Sequence, residues 1–116
     1  MNIDALSGRE LDTAVAKRLF GYAIAERVNP KTGKPDAVYR LPSGDWARVP
    51  SYAARITASI QVEVRLEDLG WKRLPAPKVT GPQEVVLVGK DGRSVKAKGE
   101  SLGEALARAA LKAVMP

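Results

Sequence analysis

A chain of 116 residues has the length of one domain, and folding at this size buries roughly 65% of the unfolded chain's surface without a disulfide or a metal. It contains no cysteine and no histidine, which excludes disulfides, thiolate nucleophiles, Ser-His-Asp triads and zinc sites built on Cys or His; the expectation is a non-catalytic protein with no cofactor and no metal. The net charge is +6, no apolar run reaches the length of a membrane span, and Met1-Asn2-Ile3-Asp4 does not begin a signal peptide, so a cytoplasmic protein without membrane contact is expected.

Ser7-Gly8-Arg9-Glu10 has the S-x-x-E form of a capping box. Leu11, Ala14, Val15 and Leu19 follow at helical spacing, with Arg9, Asp12, Thr13 and Lys17 outside the apolar face. Gly21 suits a stop. The spacing predicts a helix over residues 8–20, with Glu10 capping and Arg9 and Asp12 solvated. Residues 22–28 read as a short strand, residues 29–36 as a loop with two prolines and a glycine, and residues 37–41 as a second strand. Gly33-Lys34 does not complete a phosphate loop, because residue 28 is Val and residue 35 is Pro where G-x-x-x-x-G-K-[ST] requires Gly and Ser or Thr. Pro42-Ser43-Gly44-Asp45 turns the chain, and Trp46 to Val49 leads to Pro50.

Residues 51–69 carry two signals. Ile60, Val62, Val64 and Leu66 alternate as in a strand, whereas Tyr52, Ala53, Ile56, Ile60 and Val64 form a helical stripe. Pro50-Ser51 suits a helix start and Gly70 an end, and the length is normal for a helix but long for a strand. A helix over 51–69 is expected. Glu67 and Asp68 are neighbours in that helix and share no face, so they make no carboxylate pair.

Trp71 to Leu74 reads as a strand cut by Pro75 and Pro77. Residues 84–88 and 94–98 flank Gly89-Lys90-Asp91-Gly92-Arg93, whose Asp-Gly pair marks a hairpin. Ser101-Leu102-Gly103-Glu104 is a second capping box. Leu102, Ala105, Leu106, Ala109, Ala110 and Ala113 then line one face of a helix over 101–114, with enough alanine to imply a close backbone approach. The coarse order is α-β-β-α-β-β-β-α, which implies an α+β layered sandwich with an antiparallel sheet across residues 1–116.

Three stretches together resemble the phage ABA sandwich domain family. Gly8-Arg9-Glu10-Leu11-Asp12 and the apolar helix ending near Gly21-Tyr22 are similar to its opening helix. Pro50-Ser51-Tyr52-Ala53-Ala54-Arg55-Ile56 is similar to the start of its second helix, and Glu104-Ala105-Leu106-Ala107-Arg108-Ala109-Ala110-Leu111 to its closing helix. The middle helix here lacks the acid and tryptophan usual in the family, and the closing helix has Leu106-Ala107 where Cys is common. The resemblance implies a small phage or prophage gene product with an α/β/α layered fold, acting in the bacterial host cytoplasm. It brings no activity and no functional residues.

Charge is the informative feature. Residues 1–70 carry ten basic and nine acidic side chains, and residues 71–98 carry seven basic (Lys72, Arg73, Lys78, Lys90, Arg93, Lys96, Lys98) against two acidic. On the hairpin Val95 and Ala97 are expected to face the helices, leaving Ser94, Lys96 and Lys98 on the other side with Lys90 and Arg93 at the tip. With Lys72, Arg73 and Lys78 these form an expected positive stripe able to meet phosphates, from nucleic acid or a nucleotide. The bland alternative is a solvated sheet face protected from aggregation by its lysines. The βββα order of the tail resembles that of a double-stranded-RNA-binding domain, whose helix starts with a Lys-Lys pair where this chain has Leu102-Gly103. Trp46 and Trp71 read first as core anchors, with base stacking beside Arg48 or Lys72 and Arg73 as the alternative. Self-association through an exposed sheet edge or the small-residue helix is the competing functional class.

Overall fold

The computed structural model describes residues 2–75 and 82–115. A 3-10 turn at Ile3–Ala5 leads into α1 (Gly8–Arg18), β1 (Ile24–Val28), β2 (Pro35–Arg40), β3 (Trp46–Arg48), α2 (Ile56–Asp68), β4 (Trp71–Arg73), β5 (Gln83–Gly89), β6 (Ser94–Gly99) and α3 (Leu102–Val114). Among these residues the fold is α+β, a layered arrangement of three helices and two three-stranded antiparallel sheets. The expected class stands. The strands divide between two sheets, β1-β2-β3 and β4-β5-β6, because residues 46–48 pair back onto β2 before α2 intervenes. Pro77 and Lys78 lie outside the described residues.

α3 is the centre of the packing. β5 and β6 cover one side, and α1 and α2 pack on others. Ala105, Leu106, Ala107, Ala109, Ala110, Leu111 and Ala113 are buried, so this helix is apolar nearly all round and not along the one face expected. Alanine lets its neighbours come close. A Cβ added to Gly99 would lie 2.6 Å from the Ala105 nitrogen, and one added to Gly103 would lie 2.7 Å from the Ala53 carbonyl oxygen. The second capping box forms: the Ser101 hydroxyl accepts the Glu104 N–H at 3.2 Å. Its reciprocal arm reaches one residue further, Glu104 accepting the Glu100 N–H.

The polar stripe of α3 closes the edge of its sheet. Arg108 donates to the carbonyls of Lys98 at 2.8 Å and of Leu6 at 3.0 and 3.1 Å, and pairs with Glu104 at 3.0 Å. Lys112 donates to the Lys96 carbonyl at 2.9 Å and pairs with Asp4. Residues 96 and 98 belong to edge strand β6, so two of its outward carbonyls already have donors. That removes part of the template on which a second chain would pair.

α1 lies between α3 and the β1-β2 pair. Leu11, Val15, Ala16 and Leu19 are buried, and so is Asp12, only 3% exposed. The expectation that Asp12 and Arg9 are solvated is corrected here. Asp12 is buried against the turn at Ala53 and requires partners, and Arg9, one-third exposed, is tied to Asp12, Val49 and Asp36. Ser7 is the N-cap residue, but its side chain makes no cap bond. The chain enters the helix through Gly8 at φ 54, a left-handed conformation that glycine tolerates.

α2 is a helix, as length and flanking residues predict, but it starts at Ile56. Residues 51–55 form a turn, with the Arg55 N–H bonded to the Ser51 carbonyl at 2.9 Å. Arg55 itself is extended, at φ −115 and ψ 130, and breaks the helical phase. Tyr52 therefore enters the core without carrying Ile56 and Ile60 with it. Ala58, Val62 and Leu66 are the buried stripe. Ile56, Ile60 and Val64 are 79%, 53% and 52% exposed.

The three Tyr and the single Phe make one stacked row. Tyr39 on β2 stacks on Tyr22 at 4.5 Å between ring centroids, Tyr22 on Phe20 at 5.4 Å, and Phe20 on Tyr52 at 5.3 Å. The row ties the β1-β2-β3 sheet to the helices through large aromatic side chains. Burial pushes the Tyr52 phenol well above its ordinary pKa, and Tyr22, Tyr39 and Asp12 add to the shift.

Candidate functional site

Strands β5 and β6 alternate cleanly. Val85, Leu87 and Ala97 are buried toward α3, while Ser94, Lys96 and Lys98 are exposed. Directly paired residues share a face. Lys72 stands opposite Val88, which stands opposite Ser94; Lys96 is opposite Val86, and Lys98 is opposite Glu84. Lys72, Lys96 and Lys98 therefore occupy the outward face of this sheet together, with Glu84 the carboxylate among them. The hairpin closes as its Asp-Gly pair predicts: the Gly89 N–H bonds the Arg93 carbonyl at 2.8 Å, and Gly92 takes φ 83.

Three other residues of the expected stripe go elsewhere, and a fourth, Lys78, lies outside the described residues. Arg73 alternates to the inner face and pairs with Glu63 on α2 at 2.8 Å. Arg93 lies over the Trp71 ring at 5.4 Å, and Trp71 is buried, as a core anchor should be. The Lys90 side chain runs alongside Gly70, at the junction of α2 and β4. One sheet face thus brings together three of the six described residues of the stripe, and the hairpin tip carries two more. Glu67 and Asp68 are exposed at the end of α2. Among the described residues no three His, Cys, Asp or Glu gather into a set able to hold a metal ion.

A groove of about 860 Å³ lies between α1 and the β1-β2 pair. Its rim mixes Arg9, Lys17 and Arg18 with Glu10, Glu26 and Asp36. At its end Arg9 donates to the Val49 carbonyl at 2.8 Å and pairs with Asp12 at 3.2 Å and Asp36 at 3.1 Å. Asp36 also receives Arg48 at 2.6 Å. Burial raises the Asp12 carboxyl pKa against the opposing pull of the Ala53 N–H and Arg9. Burial also works upward on Asp36, but Arg48, Arg9 and the Ala37 N–H outweigh it and hold that carboxyl below its ordinary value. These charges join α1 to the sheet.

A second cationic surface escapes the charge count. On the β1-β2-β3 sheet the register aligns Arg27 with Asp36, Arg48 with Val38, and Trp46 with Arg40. All six share the outward face, opposite the one on which Ile24, Ala37 and Tyr39 pack against the core. Trp46 is therefore no core anchor. It is half-buried, with the Arg27 guanidinium 4.9 Å and the Arg40 guanidinium 5.7 Å from its ring centroid. Residues 1–70 are nearly neutral in sum, which hides this cluster. The one local signal is that Trp46 and Arg48, two apart in a strand, share a face.

No family model matches the chain, and no curated protein matches it.

Proposed function

We propose that this protein is a non-catalytic phage or prophage accessory protein that binds an anionic ligand, nucleic acid or nucleotide, through the outward face of the β4-β5-β6 sheet. The observation that carries the reading is the common face of Lys72, Lys96 and Lys98, all three exposed among the described residues. Lys96 and Lys98 sit about 6.6 Å apart along the strand, near the spacing of successive phosphates. The resemblance of three stretches to phage ABA sandwich proteins supports the phage setting in a bacterial cytoplasm, and among the described residues no helix is long and apolar enough to cross a membrane. Fluorescence anisotropy with duplex DNA, repeated across a salt series, tests the reading. Changing Lys96 and Lys98 to Ala removes two phosphate contacts, so the slope of log affinity against log salt flattens by about 2 units. Absence of binding to DNA, RNA or nucleotides at low salt, or an unchanged slope in the double variant, overturns it.

The exposed Ile56, Ile60 and Val64 favour a second reading, a self-associating module. Their spacing of four places them on one side of α2. Sedimentation velocity over a concentration series checks it: a dimer that Ile60→Lys abolishes supports self-association, and a monomer at every concentration removes it.

A further inference from the structure

On the outward face of the β1-β2-β3 sheet lies a cup of about 360 Å³ lined by Arg27, Asn29, Asp36, Val38, Trp46 and Arg48, among others. We propose that this cup binds a nucleobase carrying a phosphate, with the base stacked beside Trp46 over Val38 and the phosphate held by Arg27 of the cup and by Arg40, which lies outside its lining but over the Trp46 ring. This site is separate from the lysine face and does not depend on it.

The chemistry follows from how the charges are used. Asp36 is the carboxylate of the cup, and Arg9 and Arg48 both engage it. Arg27 stands opposite Asp36 in the register, yet its guanidinium lies over Trp46 instead. Neither Arg27 nor Arg40 has an ion pair among the described residues, and both are exposed. Two guanidinium groups, each able to fork onto a phosphate, are thereby held over an indole. Their cation–π contacts limit the rotamer freedom a ligand would have to remove. Val38 supplies an apolar floor, Trp46 and the guanidinium planes supply stacking surfaces, and Asn29 supplies an amide at the rim. The volume is within the range of small-ligand sites. A bare phosphate would use the arginines but not the indole, and an uncharged aromatic would use the indole but not the arginines. Only a ligand with both parts uses the whole cup. All three strands contribute residues, and the Asp36–Arg48 pair joins β2 to β3.

The test titrates adenosine 5′-monophosphate into the full-length protein, following Trp fluorescence and the two indole N–H resonances, with the Trp46 signal assigned from Trp46→Phe. The expected result is quenching and a shift confined to the Trp46 resonance. Ribose 5-phosphate and adenosine, each lacking one part, should bind about tenfold or more weakly. Trp46→Ala and Arg27→Gln should each weaken binding about tenfold, while Lys96→Ala with Lys98→Ala leaves it unchanged. That last variant separates this site from the lysine face. If Trp46→Ala does not fold, Arg27→Gln combined with Arg40→Gln carries the test. A short oligo-dA strand that binds far more tightly than the mononucleotide identifies single-stranded nucleic acid as the source, and equal binding identifies a free nucleotide. A Trp46 resonance unmoved by millimolar mononucleotide and by the oligo-dA strand overturns the proposal, as does binding that survives the cup variants.

Discussion

The carboxylate of Asp12 accepts the backbone N–H of Ala53 at 3.1 Å, joining α1 to the turn before α2. The same side chain receives Arg9 at 3.2 Å. Asp12→Ala strands the Ala53 backbone donor and takes one of three partners from Arg9, which keeps the Val49 carbonyl and Asp36. The expected loss is about 1–3 kcal/mol in urea unfolding. Asp12→Asn keeps an acceptor for Ala53 and should lose less.

The two carboxylates of this cluster respond to pH in opposite directions. Asp12 titrates above its unfolded value, so its contribution is complete below the unfolded pKa and is lost as pH rises through the folded one. Asp36 titrates below its unfolded value, so its contribution is complete above the unfolded pKa and is lost as pH falls through the folded one. Unfolding free energies measured across the acid range should show Arg48→Gln with a shallower loss at low pH than the parent. Asp12→Asn should gain on the parent as pH rises through the raised Asp12 value. The reverse pattern would mean that the cluster is not ionised as described.

Gly103→Ala places a methyl group against the Ala53 carbonyl, and Gly99→Ala places one against the Ala105 nitrogen. Both neighbours are backbone atoms and cannot swing away. Each substitution should cost about 1–3 kcal/mol by overpacking, even though alanine is the better helix former at position 103. Thermal melts of the two variants provide the measurement.

Arg108→Leu removes the donors that hold the Leu6 and Lys98 carbonyls and the partner of Glu104. A loss of about 2–3 kcal/mol is expected. Hydrogen exchange should rise first at the edge strand β6 and at the N-terminal turn, the two segments this side chain joins. Uniform exchange across the chain would contradict that role.

Short-range chemistry made much of the fold legible. The Ser101–Glu104 cap, the Asp91-Gly92 hairpin, the Gly70 stop and the outward alternation of Lys96 and Lys98 each depend on residues a few positions apart, where local hydrogen bonding and side-chain period set the outcome. The middle helix was readable from length and flanking residues, although its alternating Ile60-Val62-Val64-Leu66 run points the other way. That conflict has a physical source. α2 carries two apolar stripes, and periodicity identifies a stripe without saying which one finds a partner. The extended Arg55 decided it, by shifting the phase between Tyr52 and the helix.

Other features depended on contacts no local pattern contains. Asp12 looks solvated beside its own helix neighbours; its burial comes from the turn at Ala53 and from packing of α1 on both sides. Arg73 and Lys96 look alike as basic residues, yet strand alternation and the position of Glu63 send one inward to an ion pair and leave the other on the open face. Arg27, Arg40 and Arg48 are scattered through a nearly neutral half of the chain, and only the register of β1, β2 and β3 gathers them around Trp46. The sequence by itself determined the element types, the missing catalytic chemistry of Cys and His, and the sign of the charge. Tertiary structure alone decided which charges meet and which stay open, because strand pairing and helix docking join residues far apart in the chain.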